Sequence, residues 1–145
     1  AVEGHFDGEA SEMAREWIQE LLGTPKETDV VWGGGENIVT VRGAGSGGRN
    51  TEFALAAALE LDRLANDDWI IASLATDGQD GTSRSAGAIA SRTTIVKARE
   101  LGIDPKAALA ENDSATFFEK VGGLVITGPS GTNVNDLYVG FRRAS

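Results

Sequence analysis

The run Gly43-Ala44-Gly45-Ser46-Gly47-Gly48-Arg49-Asn50 sets a glycine-rich loop between two segments of different periodicity, and it constrains the chain more than any other feature. Ile38-Val39-Thr40-Val41-Arg42 is β-branched and reads as a strand. Thr51 to Leu61 is rich in Ala and Leu and reads as a helix, with Asn50 as its N-cap. Glycines let several backbone N–H groups face one point, and a helix start adds unsatisfied donors and partial positive charge. Gly47, Gly48 and Asn50 are therefore expected to bind a phosphate or carboxylate, with Arg49 supplying a charged fork and Arg42 a candidate second one. A loop that only joins strand to helix, without a ligand, stays open. The spacing Gly43-x-Gly45-x-x-Gly48 matches a dinucleotide fingerprint in form. The helix begins after the third glycine, however, and an adjacent arginine suits terminal phosphates better than a pyrophosphate bridge.

A length of 145 residues allows one ordinary core. With 13 basic and 22 acidic residues the formal charge is −9, which argues against nucleic acid or an anionic membrane as a partner. The lack of cysteine removes disulfides, thiolate metal sites and cysteine nucleophiles. The single histidine, His5, reads as a solvated terminal residue. No segment approaches the ~18 apolar residues of a membrane span and the acidic start is unlike a signal peptide, so a cytoplasmic protein is expected.

Ala10 to Leu22 carries helical spacing, with Asp7 as its cap and Gly23 as its stop. A short strand from Asp29 to Trp32 is expected to break at Gly33-Gly34-Gly35. The helix from Thr51 is apolar nearly all round and should be buried on more than one side. Trp69 to Leu74 reads as a strand covered on both faces, ending in Thr76-Asp77-Gly78-Gln79-Asp80-Gly81. Ala86 to Ala90 reads as a close-packed turn of helix, Thr93 to Leu101 as a helix, and Asp104-Pro105 as a capped helix start. A short helix with Phe117 and Phe118 follows, then strands at Leu124–Thr127 and Leu137–Phe141. The expected fold is an α/β layered sandwich, a mostly parallel or mixed sheet flanked by helices. Residues 1–28 form a lead-in helix and linker, and 29–145 the α/β domain.

Asp77 and Asp80 stand where open α/β sheets hold ligands. They can bind Mg²⁺ through water, accept a hydroxyl proton or orient a basic group, or else bond only their own turn. Glu36, after three glycines, can meet a ligand, pair with Arg49 or stay in solvent. Asn133, within Thr132-Asn133-Val134-Asn135-Asp136, can bind a hydroxyacid or hold a neighbouring loop. Helix capping accounts for Asn112 and Asp113.

Taken in order, Gly34-Gly35-Glu36, Val39-Thr40-Val41-Arg42-Gly43, Gly47-Gly48-Arg49-Asn50 with Glu52-Phe53-Ala54-Leu55, Thr76-Asp77-Gly78 with Asp80-Gly81, Asn112-Asp113-Ser114, and Thr127-Gly128-Pro129 with Gly131-Thr132-Asn133-Val134-Asn135-Asp136-Leu137 resemble the MOFRL domain. That domain is the carboxyl-terminal part of ATP-dependent glycerate 2-kinases, also labelled hydroxypyruvate reductases. Thr51, Asn37 and Ala115 depart from its usual residues. The resemblance implies an interdomain site that transfers phosphoryl from Mg-ATP to a glycerate-like hydroxyacid. Arg49 and Asp77 would be its catalytic residues, with Asp77 as a candidate Mg²⁺ ligand, and Gly47, Gly48, Asn50, Glu36, Asp80 and Asn133 would be its binding residues. It also implies an amino-terminal partner domain that supplies a lysine, without which this chain should be inactive. An NAD(P)-dependent reductase domain and a non-catalytic assembly module are the alternatives, and a homo-oligomer is left open.

Overall fold

The computed structural model describes residues 5–144. In chain order its elements are β1 (His5–Phe6), α1 (Ala10–Leu22), β2 (Val30–Gly35), α2 (Arg49–Arg63), β3 (Trp69–Ala75), β4 (Gly87–Ala90), α3 (Arg92–Glu100), α4 (Pro105–Ala110), α5 (Ser114–Val121), β5 (Leu124–Val125) and β6 (Asp136–Arg142). One six-stranded sheet runs in the order β1-β2-β6-β3-β4-β5. The expected α/β class holds, but the expected mostly parallel or mixed sheet does not. Every pairing from β2 through β5 is antiparallel, and only the two-residue edge strand β1 lies parallel to its neighbour. The reason is connectivity: β6, the last strand, inserts between β2 and β3 and runs against both.

The apolar helix is buried on more than one side, as its composition predicts. α2 lies at the centre of the covered face, contributing Phe53, Ala57 and Leu61 to one core with Trp17, Ile18 and Leu21 of α1 and Val31, Ile71 and Tyr138 of the sheet. Its other side, through Ala54, Leu55 and Ala58, packs against Ile95, Phe117, Phe118 and Val121. The register places Trp32, Val139, Ala72 and Ile89 in one row on the opposite face, where Ala72 of β3 is buried and Val139 half-buried, so the expected cover on both faces holds only in part. There Trp32 and Ile89 are exposed.

Four local expectations fail, three of them for identifiable reasons. The strand does not break at Gly33-Gly34-Gly35, because the ring of Phe6 lies across it and a Cβ at Gly33 would come within 2.5 Å of Phe6 Cε2. Glu36 is thereby delivered to the end of β2. Residues 38–42 are extended but join no strand of the sheet apart from a bridge between Ile38 and Glu9. Side chains take the place of a strand partner: Glu9 accepts from the Thr40 N–H and hydroxyl, both at 3.0 Å, and Asn112 Oδ1 accepts from the N–H groups of Arg42 (2.6 Å) and Gly43 (2.9 Å). The stretch Ala86 to Ala90 is not a helical turn: Gly87–Ala90 is β4, whose small residues let α2 sit close to the sheet. At the amino end, Glu9 rather than Asp7 occupies the N-cap position of α1, while Gly23 ends it as expected. The expectation for the His5 side chain lies outside the described residues.

Candidate functional site

In register, Gly35 of β2, Asp136 of β6 and Ala75 of β3 stand side by side. Glu36, the start of β6 and the Thr76–Asp80 loop therefore share one end of the sheet. The amino terminus of α2 reaches the same end, because Asn50 Oδ1 accepts from the Ser73 hydroxyl of β3 at 2.8 Å. Asn50 is consequently not the N-cap: the helix starts at Arg49 with Gly48 in the cap position, and Asn50 is fully buried in its first turn.

The anion expected at this helix start is supplied by the chain itself. Asp80, buried and exposing none of its surface, accepts the N–H of Asn50 (Oδ1, 2.8 Å) and the N–H of Thr51 (Oδ2, 2.9 Å). The Thr51 hydroxyl lies 2.9 Å from Asp80 Oδ2 and 2.7 Å from the Ser114 hydroxyl. Burial pushes the Asp80 carboxyl above its ordinary range, and the donated hydrogen bonds pull against that. The N–H groups of four loop glycines and of Ser46 are also engaged internally. Gly43 donates to Asn112 Oδ1, Gly45 to the Glu111 carbonyl, Ser46 to Asp113 Oδ1, Gly47 to Thr82 Oγ1 and Gly48 to Thr51 Oγ1. Asn112 and Asp113 thus tie down this loop, and Asp113, though at the N-cap position of α5, makes no side-chain cap. Gly48 is glycine for the same reason, since a Cβ there would lie 2.6 Å from Asp80 Oδ1.

Arg49 is the cation that borders the loop's cavity, whereas Arg42, the candidate second fork, lies at an adjoining cavity with Glu9, Glu12 and Glu52. The Nε and Nη2 of Arg49 donate to the two carboxylate oxygens of Asp136, the latter at 2.9 Å, and Nη2 lies 3.9 Å from Glu36 Oε1. Asp136 is fully buried as a side chain and also accepts from the Tyr138 hydroxyl at 3.3 Å. The two-pronged pair holds the guanidinium in one orientation and raises its proton affinity further. Burial first, then the Asp136 charge, holds the Tyr138 phenol far above its usual range, so it stays a donor. Of the Arg49 side chain, 24% remains exposed. It borders a cavity of about 260 Å³, lined also by Asn37, Val39, Val41, Glu52 and Thr82.

Asp77 stands apart from Asp80. Its Oδ1 accepts from the Gln79 N–H at 2.9 Å, the turn bond foreseen for an Asp-Gly pair, and its carbonyl accepts from the Ser130 N–H at 3.2 Å. The Thr76 hydroxyl donates to the Asn135 carbonyl at 2.6 Å and accepts from Val134 N–H at 2.9 Å, which joins this loop to the Asn133 loop. Asn133 Oδ1 accepts from the Asn135 N–H at 3.1 Å and the residue is exposed. Among the described residues no group of three metal-ligating side chains forms, and no helix is long and apolar enough to cross a membrane.

Sequence reasoning joined Arg49 to Glu36 but missed Asp136, Tyr138 and Glu52. Asp136 and Tyr138 are two apart at the head of a strand, a spacing that puts both on its covered face beside Arg49.

The model of the MOFRL family matches residues 29–136. The chain belongs to the MOFRL family. It is 47% identical over 107 residues to the D-glycerate 2-kinase of Thermotoga maritima, covering 74% of this chain and 25% of that protein. Against the glycerate 2-kinase of Pyrococcus horikoshii the identity is 44% over 126 residues, covering 84% of this chain and 28% of the relative. A crystal structure of the Thermotoga maritima glycerate kinase superimposes with a TM-score of 0.90 at 38% identity, over 98% of this chain and 35% of that one. The MOFRL chain thus spans about a quarter to a third of the length of these relatives.

Proposed function

We propose that this MOFRL domain forms the arginine-bearing wall of a glycerate 2-kinase site, completed by an amino-terminal domain of the kind its longer relatives carry. The observation that supports the reading is Arg49 itself. A guanidinium fixed by a buried carboxylate, yet partly exposed at a cavity mouth, is preorganised to meet a carboxylate or a transferring phosphoryl group without reorganising. Because the glycine-loop amides are engaged internally, Arg49 carries the anion binding, and its partner is the glycerate carboxylate.

Transfer from ATP forms a bond between a glycerate hydroxyl oxygen and the γ-phosphorus and breaks the bond from that phosphorus to the bridging oxygen, which leaves with ADP, while the hydroxyl proton passes to a carboxylate such as Asp77 or to solvent. Asp77, on the loop at the same end of the sheet though outside the lining of the Arg49 cavity, would orient that hydroxyl. One carboxylate is also the usual protein contribution to Mg²⁺ bound with nucleotide phosphates, so Asp77 would hold the ion, which supplies charge neutralisation when bound. The arrangement does not favour the reductase alternative, since a dinucleotide needs loop amides that this chain has already used.

The test is a hybrid in which residues 29–136 replace the aligned segment of the Thermotoga maritima D-glycerate 2-kinase, assayed for ADP release with D-glycerate and Mg-ATP. Turnover is expected, and Arg49→Ala should lower it by about 100-fold or more with the fold intact. Near-unchanged kcat/KM in that variant would refute the role of Arg49.

A further inference from the structure

Two polar side chains in the cavity beside Arg49 are not accounted for by the domain's own packing. Glu52 is only 4% exposed. Its Oε1 accepts from Asn112 Nδ2 at 2.6 Å; among the described residues Oε2 has no hydrogen-bond donor and keeps contact with solvent through the cavity, and no cation lies within ion-pair distance, Arg42 acting on the carboxylate only from farther away. Asn37 is 2% exposed, and neither its Oδ1 nor its Nδ2 has a partner. A buried amide left this way is rare and costly in a domain that gains nothing from it. Glu52 and Asn37 line the same cavity, with Val39 and Val41 as an apolar wall.

We propose that this cavity holds the terminal hydroxyl of a three-carbon hydroxy acid whose carboxylate lies on Arg49, the hydroxyl donating to Glu52 Oε2 with Asn37 as its second partner. This rests on the reading of Arg49 as the carboxylate clamp. Arg49 and Glu52 are three residues apart on α2, hence neighbours on one helix face, a separation that suits a short acid. The internal engagement of the loop amides, together with the Glu52 carboxylate, disfavours a phosphate in the same space. At about 260 Å³ the cavity has room for a three-carbon acid. Burial raises the proton affinity of Glu52, which makes it a stronger acceptor. The consequence concerns regiochemistry. With the terminal hydroxyl held inside, the hydroxyl next to the carboxylate is left at the mouth, where a phosphoryl group can reach it.

The experiment uses the ¹⁵N-labelled 145-residue chain, titrated by NMR with D-glycerate, with D-lactate, which lacks only the terminal hydroxyl, and with inorganic phosphate. D-glycerate should shift the amides of Val39, Val41, Gly48 and Glu52 and bind about tenfold or more tightly than D-lactate, the effect of one hydrogen bond to a charged group. Glu52→Gln should erase that preference while leaving lactate binding in place, whereas Arg49→Ala should weaken both acids alike. If Glu52→Gln fails to fold, Asn37→Ala carries the same comparison. Equal affinity for the two acids, a preference that survives in a folded Glu52→Gln or Asn37→Ala chain, no response at these amides, or a stronger response to phosphate would each overturn the proposal. The hybrid's turnover reads the Arg49 assignment separately, so an active, Arg49-dependent hybrid beside equal acid affinities sinks the hydroxyl assignment alone.

Discussion

Asp80 meets Thr51 twice, its Oδ2 accepting the backbone N–H at 2.9 Å and lying 2.9 Å from the hydroxyl, so that a residue 29 positions away closes the start of α2. A side chain from the loop after β3 thus performs the task that sequence logic assigns to the residue just before a helix. Asp80→Ala leaves the buried N–H groups of Asn50 and Thr51 without their acceptor, while the Thr51 hydroxyl keeps the Gly48 carbonyl and the Ser114 hydroxyl as partners. The expected cost is about 2–4 kcal/mol, at or above the upper range for losing an N-cap because the site is buried. Urea unfolding checks it, and a change below about 0.5 kcal/mol, the range of surface substitutions, would show that α2 does not depend on Asp80.

The Arg49–Asp136 pair makes a second prediction. Asp136→Asn keeps the shape but loses the charge that fixes the guanidinium, and it leaves the Tyr138 hydroxyl facing an amide. In the hybrid enzyme, kcat/KM for D-glycerate should fall by about 10- to 100-fold, since orientation and not the cation itself is lost. KM for ATP should change little. Equal losses for both substrates, or no loss, would mean that Asp136 serves packing alone.

What the sequence made legible follows periodicity. α2 was recognisable because Phe53, Ala54, Leu55, Ala57 and Ala58 leave it no polar face, and β3 because six successive residues are mostly apolar and suited to a strand. Sheet direction was not legible, because it depends on β6 inserting between β2 and β3, a pairing that joins residues about a hundred positions apart. The segment at 38–42 has strand-like composition, but composition does not reveal that Glu9 and Asn112 replace the neighbouring strand. At the site, Arg49 and Glu36 were readable from the charges flanking glycines. The engagement of the loop amides was hidden because their acceptors, Asp80, Thr82 and Asp113, come from distant loops.

Glu52 gives a pH dependence with a definite sign. Burial raises its folded pKa above the ordinary value near 4.5, so the folded state binds its proton more tightly than the unfolded chain does. Its effect is most favourable to folding below that value, and stability is lost as pH rises through the raised pKa. Glu52→Gln removes this loss and can retain the bond from Asn112. The variant should therefore gain stability relative to the parent as pH rises from the ordinary carboxylate range to neutrality. Thermal unfolding across that range reads it, and parallel curves for parent and variant would refute it.

The last prediction separates the two faces of the site. On its own the 145-residue chain should not release ADP from Mg-ATP with D-glycerate, because the wall it provides holds an arginine and a loop aspartate but no group bracketing the nucleotide. Lys97 and Lys120 lie on α3 and α5, and Lys106 on α4, none of them lining the cavity beside Arg49. Losing several charge-assisted contacts of about 1.5–3 kcal/mol each also moves nucleotide affinity toward the millimolar range. In the hybrid, where the second wall is present, Asp77→Asn should abolish Mg²⁺-dependent turnover and leave the melting temperature nearly unchanged, since the Gln79 turn bond needs only one oxygen. Turnover by the isolated chain would overturn the half-site assignment. An Asp77→Asn hybrid that unfolds early yet keeps its activity per folded molecule would return Asp77 to the role of a turn residue.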